Sequence, residues 1–146
     1  MTRKPSAGPT PESLAASGTE DGEQTALFCY ATTAALSDPR WLLLYAIPNG
    51  GARSPATAAR MVATGAKAGF PDVGLPYVIY ENNRIACPGL FIELKRRHIP
   101  GKQKAGVTSA LQTGWHIKLQ LQGYRVYVCY GYLEAVEVIR NYFNEG

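Results

Sequence analysis

Gly89-Leu90-Phe91-Ile92-Glu93-Leu94-Lys95 is the stretch on which the rest of the chain turns, and Gly69-Phe70-Pro71-Asp72 stands ahead of it. The run from Gly89 to Lys95 has strand character. Glu93 and Lys95 are two apart in it, so both side chains leave the same face. Asp72 opens an earlier strand, through Val73-Gly74-Leu75 and on over Tyr77 to Tyr80, with Glu81-Asn82-Asn83-Arg84 as the reversal. Asp72 and Glu93 can then approach each other across a hairpin. Pro76 and Pro88 interrupt these strands, where bulges or edges are expected.

Two carboxylates and a lysine on one sheet face suit hydrolysis of a phosphodiester. That reaction needs a cation to neutralise the phosphate and to make water nucleophilic near neutral pH. Mg²⁺ takes oxygen ligands and often only one or two carboxylates. Asp72 and Glu93 meet that need, with the Leu94 backbone carbonyl as a further ligand and Lys95 aimed at the attacking water. The plain alternative is a cross-strand Glu–Lys pair with Asp72 capping a turn, and for an isolated Glu-x-Lys that reading wins.

Outward from this centre, residues 1–18 are rich in Ser, Pro, Ala and Gly without periodicity and read as a flexible tail. Residues 19–146 form the domain. Ser17-x-x-Glu20 resembles a capping box and begins a helix through Leu36, with Glu23 and Gln24 near its start. Trp41 to Ile47 reads as a buried strand, and Pro48-Asn49-Gly50-Gly51 turns the chain. Ser54-Pro55 starts a second helix, to about Ala63. Ser109 and Gln112 have capping-box form and open a third helix, with Leu111, Trp115 and Leu119 in phase and Gly123 as its stop. Arg125 to Tyr130 is a fourth strand, and Leu133 to Phe143 the closing helix. The order α-β-α-β-β-α-β-α gives an α/β fold, a mixed sheet flanked by helices.

Bulk properties narrow the partners. The 146 residues make one domain, with no apolar run long enough for a membrane span and no signal-peptide segment, which points to a cytoplasmic protein. Three scattered cysteines suit reduced, packed thiols, and with only two histidines a structural zinc site is disfavoured. The +4 charge and pI near 9.0 favour a polyanionic partner. Arg96, Arg97, Lys102 and Lys104 follow the site directly, and Arg53 precedes the second helix; all five are candidate phosphate contacts. His98 and His116 are poor candidates for a general base beside a lysine and a metal. The nine tyrosines read as packing residues rather than base-stacking ones.

Pro71-Asp72 followed by Glu93-Leu94-Lys95 resembles the PD-(D/E)xK nuclease signature. With Glu23-Gln24, Ile47-Pro48-Asn49-Gly50-Gly51, Ser109-x-x-Gln112 before Trp115, and Gly123-Tyr124, the chain is similar to the virus-type replication-repair nuclease (VRR-NUC) domain in its short phage and bacterial form. The resemblance implies a restriction-endonuclease-like fold and a Mg²⁺- or Mn²⁺-dependent endonuclease acting on DNA. It makes Asp72 and Glu93 metal ligands, Lys95 the catalytic lysine, Glu23 an outer acid and Gln112 the site glutamine. Branched DNA such as a Holliday junction is then the expected substrate and a homodimer the expected assembly. A flap-cutting monomer and a DNA-binding module without turnover are the alternatives. A restriction-like enzyme lacks any visible target-recognition segment.

Overall fold

The computed structural model describes residues 7–48 and 54–146. Arg53 and the turn residues Asn49-Gly50-Gly51 lie outside the described residues. The elements in chain order are α1 (Pro11–Ala15), α2 (Glu20–Ala34), a 3₁₀ turn (Pro39–Leu43), β1 (Tyr45–Ala46), α3 (Pro55–Ala63), β2 (Val73–Leu75), β3 (Ile79–Glu81), β4 (Arg84–Cys87), β5 (Leu90–Lys95), α4 (Ala110–Leu121), β6 (Arg125–Tyr130) and α5 (Tyr132–Asn144).

Four strands form one mixed sheet in the order β1-β2-β5-β6. β2 lies antiparallel to β5, pairing Val73 with Ile92. β6 runs parallel to β5, and α4 supplies the crossover such a pair requires. β5 is buried along its whole length, which explains a nearly continuous apolar run rather than an alternating one. Its Leu90, Ile92 and Leu94 join the main core with Leu27, Ala135, Val136 and Ile139 of α2 and α5. On the other face, Phe91 packs edge-on against Phe70 and Tyr124, with ring centroids 5.4 and 5.1 Å apart. Glu93 and Lys95 continue that second face. The mixed sheet flanked by helices is a nuclease-like α/β arrangement, as expected.

Several local expectations are corrected. The tail contains a capped helix: Thr10 caps α1 reciprocally with Ser13, and Ala15 is buried. Thr19, not Ser17, caps α2, its hydroxyl accepting from Gly22 N at 3.0 Å while Ser17 Oγ lies 3.0 Å behind it. Trp41 to Ile47 is not a buried strand. Asp38-Pro39 drives the chain into a 3₁₀ turn, which leaves Leu42 73% exposed, and only Tyr45 and Ala46 pair with β2.

The strand expected to run on to Tyr80 stops at Leu75, before Pro76. Beyond it β3 and β4 form a separate two-stranded hairpin, with Asn82 and Asn83 both at positive φ (52° and 60°) in its turn. Two adjacent left-handed residues match the twist of a two-residue hairpin, and asparagine tolerates that conformation well. Pro88 separates β4 from β5. Among the tyrosines, Tyr132 and Tyr142 are buried as expected, whereas Tyr45, Tyr80, Tyr127 and Tyr130 are exposed.

Candidate active site

The register of β2 against β5 brings Asp72 opposite Glu93. Asp72 N donates to Ile92 O at 3.1 Å, and Asp72 Oδ2 accepts from Leu94 N at 2.8 Å. That second bond places the Leu94 peptide at the site. Burial pushes the Asp72 carboxyl above the ordinary range, against the lowering effect of the Leu94 N–H. Glu93, 2% exposed, is pushed up to about 8, first by burial and then by the charge of Asp72. Two carboxyl groups forced together in a buried setting cannot both ionise easily unless a cation joins them. The pair therefore suits a hard divalent cation.

Lys95 is buried beside them, with Nζ 3.8 Å from Glu93 Oε1. Its stronger partner is on α4: Nζ donates to Gln112 Oε1 at 3.0 Å. Gln112 Oε1 also accepts from Ser109 N at 2.9 Å, and Gln112 Nε2 donates to Glu93 Oε1 at 2.7 Å. Two donors on the oxygen fix the orientation of the amide. The Gln112 side chain closes the capping box with Ser109 and at the same time contacts Lys95 and Glu93. Asp72, Glu93, Lys95 and Gln112 are thus brought together by β2, β5 and the first turn of α4.

Glu23 is not brought to this group. It is fully buried, and both oxygens are engaged elsewhere: Oε1 accepts from Arg97 Nε at 2.5 Å and Oε2 from Tyr132 N at 2.6 Å. The acid that α2 does present is Glu20, one turn earlier and exposed. Its charge raises the pKa of both Asp72 and Glu93. A side chain on Gly106 would meet Glu20 Oε1 at 3.1 Å and Lys95 Cδ at 3.2 Å, so the two groups converge over that glycine. Glu23 is turned to Arg97 and the start of α5, and Glu20 to the Gly106 side of the site.

His116, disfavoured above as a general base, is nonetheless close to the cluster. It lies one turn after Gln112 on α4, buried, with Nε2 3.5 Å from Glu93 Oε2. Burial and the charge of Lys95 lower its pKa, disfavouring the charged ring. The four-residue spacing from Gln112 was the available signal.

The basic segment divides. Arg97 is committed to Glu23 and to Ala15 O. Lys102 reaches Ser17 O at 3.3 Å, and Arg96 Nε donates to Lys104 O at 3.0 Å, so the segment is a braced loop, with Arg96, Lys102 and Lys104 exposed. His98 is exposed in the same loop.

Among the described residues, no group of three or more His, Cys, Asp or Glu side chains is gathered to hold a metal. Asp72 and Glu93 are a two-carboxylate set, the kind Mg²⁺ completes with waters or substrate oxygens. The cysteines are free, with Cys87 and Cys129 buried. No described helix is long and apolar enough to cross a membrane.

No family model matches the chain, and no curated protein matches it. A solved structure described as a "VRR_NUC domain protein" is similar to it: 25% identity, 88% of this chain and 90% of that chain covered, and a TM-score of 0.67. This three-dimensional likeness bears out the resemblance drawn from the motifs.

Proposed function

We propose, from the premise that this chain carries the VRR-NUC nuclease fold, that it is a metal-dependent endonuclease hydrolysing phosphodiester bonds of DNA. The observation that carries the reading is the linked cluster Asp72–Glu93–Lys95–Gln112 at one end of β5. Asp72, Glu93 and the Leu94 carbonyl would hold Mg²⁺ or Mn²⁺. When bound, the cation supplies charge neutralisation at the phosphate and acidifies water.

The protein's own groups then divide the remaining work. Lys95, buried and held by Gln112, orients the attacking water and stabilises the charge that develops on the phosphate oxygens. Gln112 keeps Lys95 and Glu93 in a fixed relation, so neither collapses onto the other. Glu20, in place of Glu23, would be the outer acid from α2, its charge bearing on Asp72 and Glu93. Glu23 instead holds Arg97 and the start of α5. Arg96, Lys102 and Lys104 are the candidate phosphate contacts of the loop.

The substrate is branched DNA, with a Holliday junction as the form suited to a homodimer. Such a junction has near two-fold symmetry and needs two cuts, which two equivalent sites provide. Labelled junctions, flaps and plain duplexes incubated with Mg²⁺ and with wild type or Lys95→Ala test the assignment. Cleavage by wild type, and on the order of 10²–10³-fold less by the variant, is expected. Equal behaviour on every substrate refutes it. A module that only binds DNA would bind metal, if at all, without regard to Glu93→Ala in calorimetric titration.

A further inference from the structure

We infer that His116 is a positioning residue: from α4 its Nε2 holds Glu93 Oε2 while Gln112, one turn earlier, holds Oε1, so one helix fixes both oxygens of a metal-binding carboxylate. This rests on the metal-dependent reading above and deepens it.

Four observations converge on the same carboxylate. Gln112 and His116 are four apart on α4 and so share a face. Gln112 Nε2 lies 2.7 Å from Glu93 Oε1, and His116 Nε2 lies 3.5 Å from Oε2. The amide of Gln112 has no freedom to reverse, because its oxygen already accepts from Lys95 and Ser109. Glu93 and His116 are both buried, so water does not compete for the contact. The 3.5 Å separation is long for a hydrogen bond, and such contacts shorten once the carboxylate carries its full charge and the site is filled.

A carboxylate on a strand can rotate about its terminal bond, and a cation selects one orientation. Donors on both oxygens make that selection in advance, so metal affinity carries less of an ordering cost. The groups that face His116 from other elements are Glu93 and Lys95 of β5. Lys95 Nζ is engaged by Gln112 Oε1, which leaves Glu93 Oε2 as the group within reach of His116 Nε2.

The test is Mn²⁺ binding to the full chain without DNA, by calorimetry, for wild type, H116L, H116Q and H116N. H116Q carries an N–H donor of similar reach, and H116N is too short. The expectation is a loss of about 10- to 100-fold in affinity for H116L and H116N, with H116Q within about threefold of wild type. On DNA, the Mg²⁺ requirement of H116L rises while the rate at saturating metal is retained. If H116L does not fold, the H116Q and H116N pair gives the same decision. Affinities of H116N and wild type that coincide overturn the role of His116 alone. A wild type that binds no Mn²⁺, or binding that ignores Glu93→Gln, overturns the metal-dependent reading and this inference with it.

Discussion

Glu23 and Glu93 are two glutamates with almost the same burial, 0% and 2% exposed, and opposite circumstances. Glu23 lies between α2 and α5 and is matched: a guanidinium on one oxygen, a helix N-terminal amide on the other. Glu93 lies between β5 and α4 and faces a second carboxyl. Its neighbours are the amide of Gln112, which donates to it, the imidazole of His116 and a lysine 3.8 Å away. A buried charge with full partners is part of the scaffold. One raised to about 8 by burial and a like charge is a candidate for pairing with a cation. Burial alone does not separate a structural acid from a reactive one; the identity of the partners does.

The contrast breaks most visibly at the lysine. Lys95→Ala is expected to lower DNA cleavage on the order of 10²–10³-fold with the fold intact, as loss of one preorganised electrostatic group does. Glu23→Gln, assayed well below its melting temperature, should keep most of the cleavage. Equal losses for the two variants would put Glu23 back in the site.

Stability reverses the order. Glu23→Ala leaves the buried first amide of α5 without its acceptor and is expected to cost about 2 kcal/mol in denaturant unfolding, since an unsatisfied buried donor is expensive, whereas Arg97, with its side chain 41% exposed, can turn to water. Glu93→Ala removes a carboxyl that the metal-free fold disfavours in its charged form, so it should cost much less. Comparable destabilisation would mean that Glu93 is scaffold too.

Protons sharpen the comparison further. The folded pKa of Glu93 is raised from 4.5 to about 8. Between those values the unfolded chain releases its proton and the folded chain keeps it, so stability falls as pH rises through that window. Without metal, the melting temperature should drop across it, and Glu93→Gln should flatten the decline. Added Mg²⁺ should offset the drop at the upper end. A metal-free protein whose melting temperature rises through the window contradicts the shift.

The smallest expected effect concerns the loop. Arg96→Ala with Lys104→Ala should lower the slope of log DNA affinity against log salt by about 2. Arg97→Ala, bound to Glu23, should lower stability instead. An unchanged slope would make the loop solvated surface alone.

Much of this was legible in the sequence because it rests on short-range rules. The buried run from Leu90 to Lys95, the Ser109–Gln112 cap and the breaks at Pro76, Pro88 and Gly123 all lie on element ends or on a strand period. What escaped depended on phase or on distant partners. Ser17 and Thr19 are both good caps, and Glu23 is drawn away from the site by Arg97 and the Tyr132 amide, partners far along the chain. Trp41 to Ile47 is apolar enough for a strand, but Asp38 Oδ1 accepts from Arg40 N at 3.2 Å and tightens the chain into a 3₁₀ turn. Arg84 to Cys87 carries too little alternation to announce a strand, and its pairing comes from the Asn82-Asn83 turn. His116 acquires a role only because α4 crosses over β5.

The cap on α5 has a consequence for how the chain reaches its final form. Gly131 begins that helix with no side chain of its own to cap it, at φ 87°, where an added Cβ would run into the Arg97 stem and lie 3.1 Å from Glu23 Oε2. The missing cap is donated by Glu23, 109 residues away in sequence. The last helix is therefore completed only by a partner made near the beginning, a long loop to close before the contact repays it. During synthesis, α2 must wait with an unpaired acid until both Arg97 and Tyr132 have emerged.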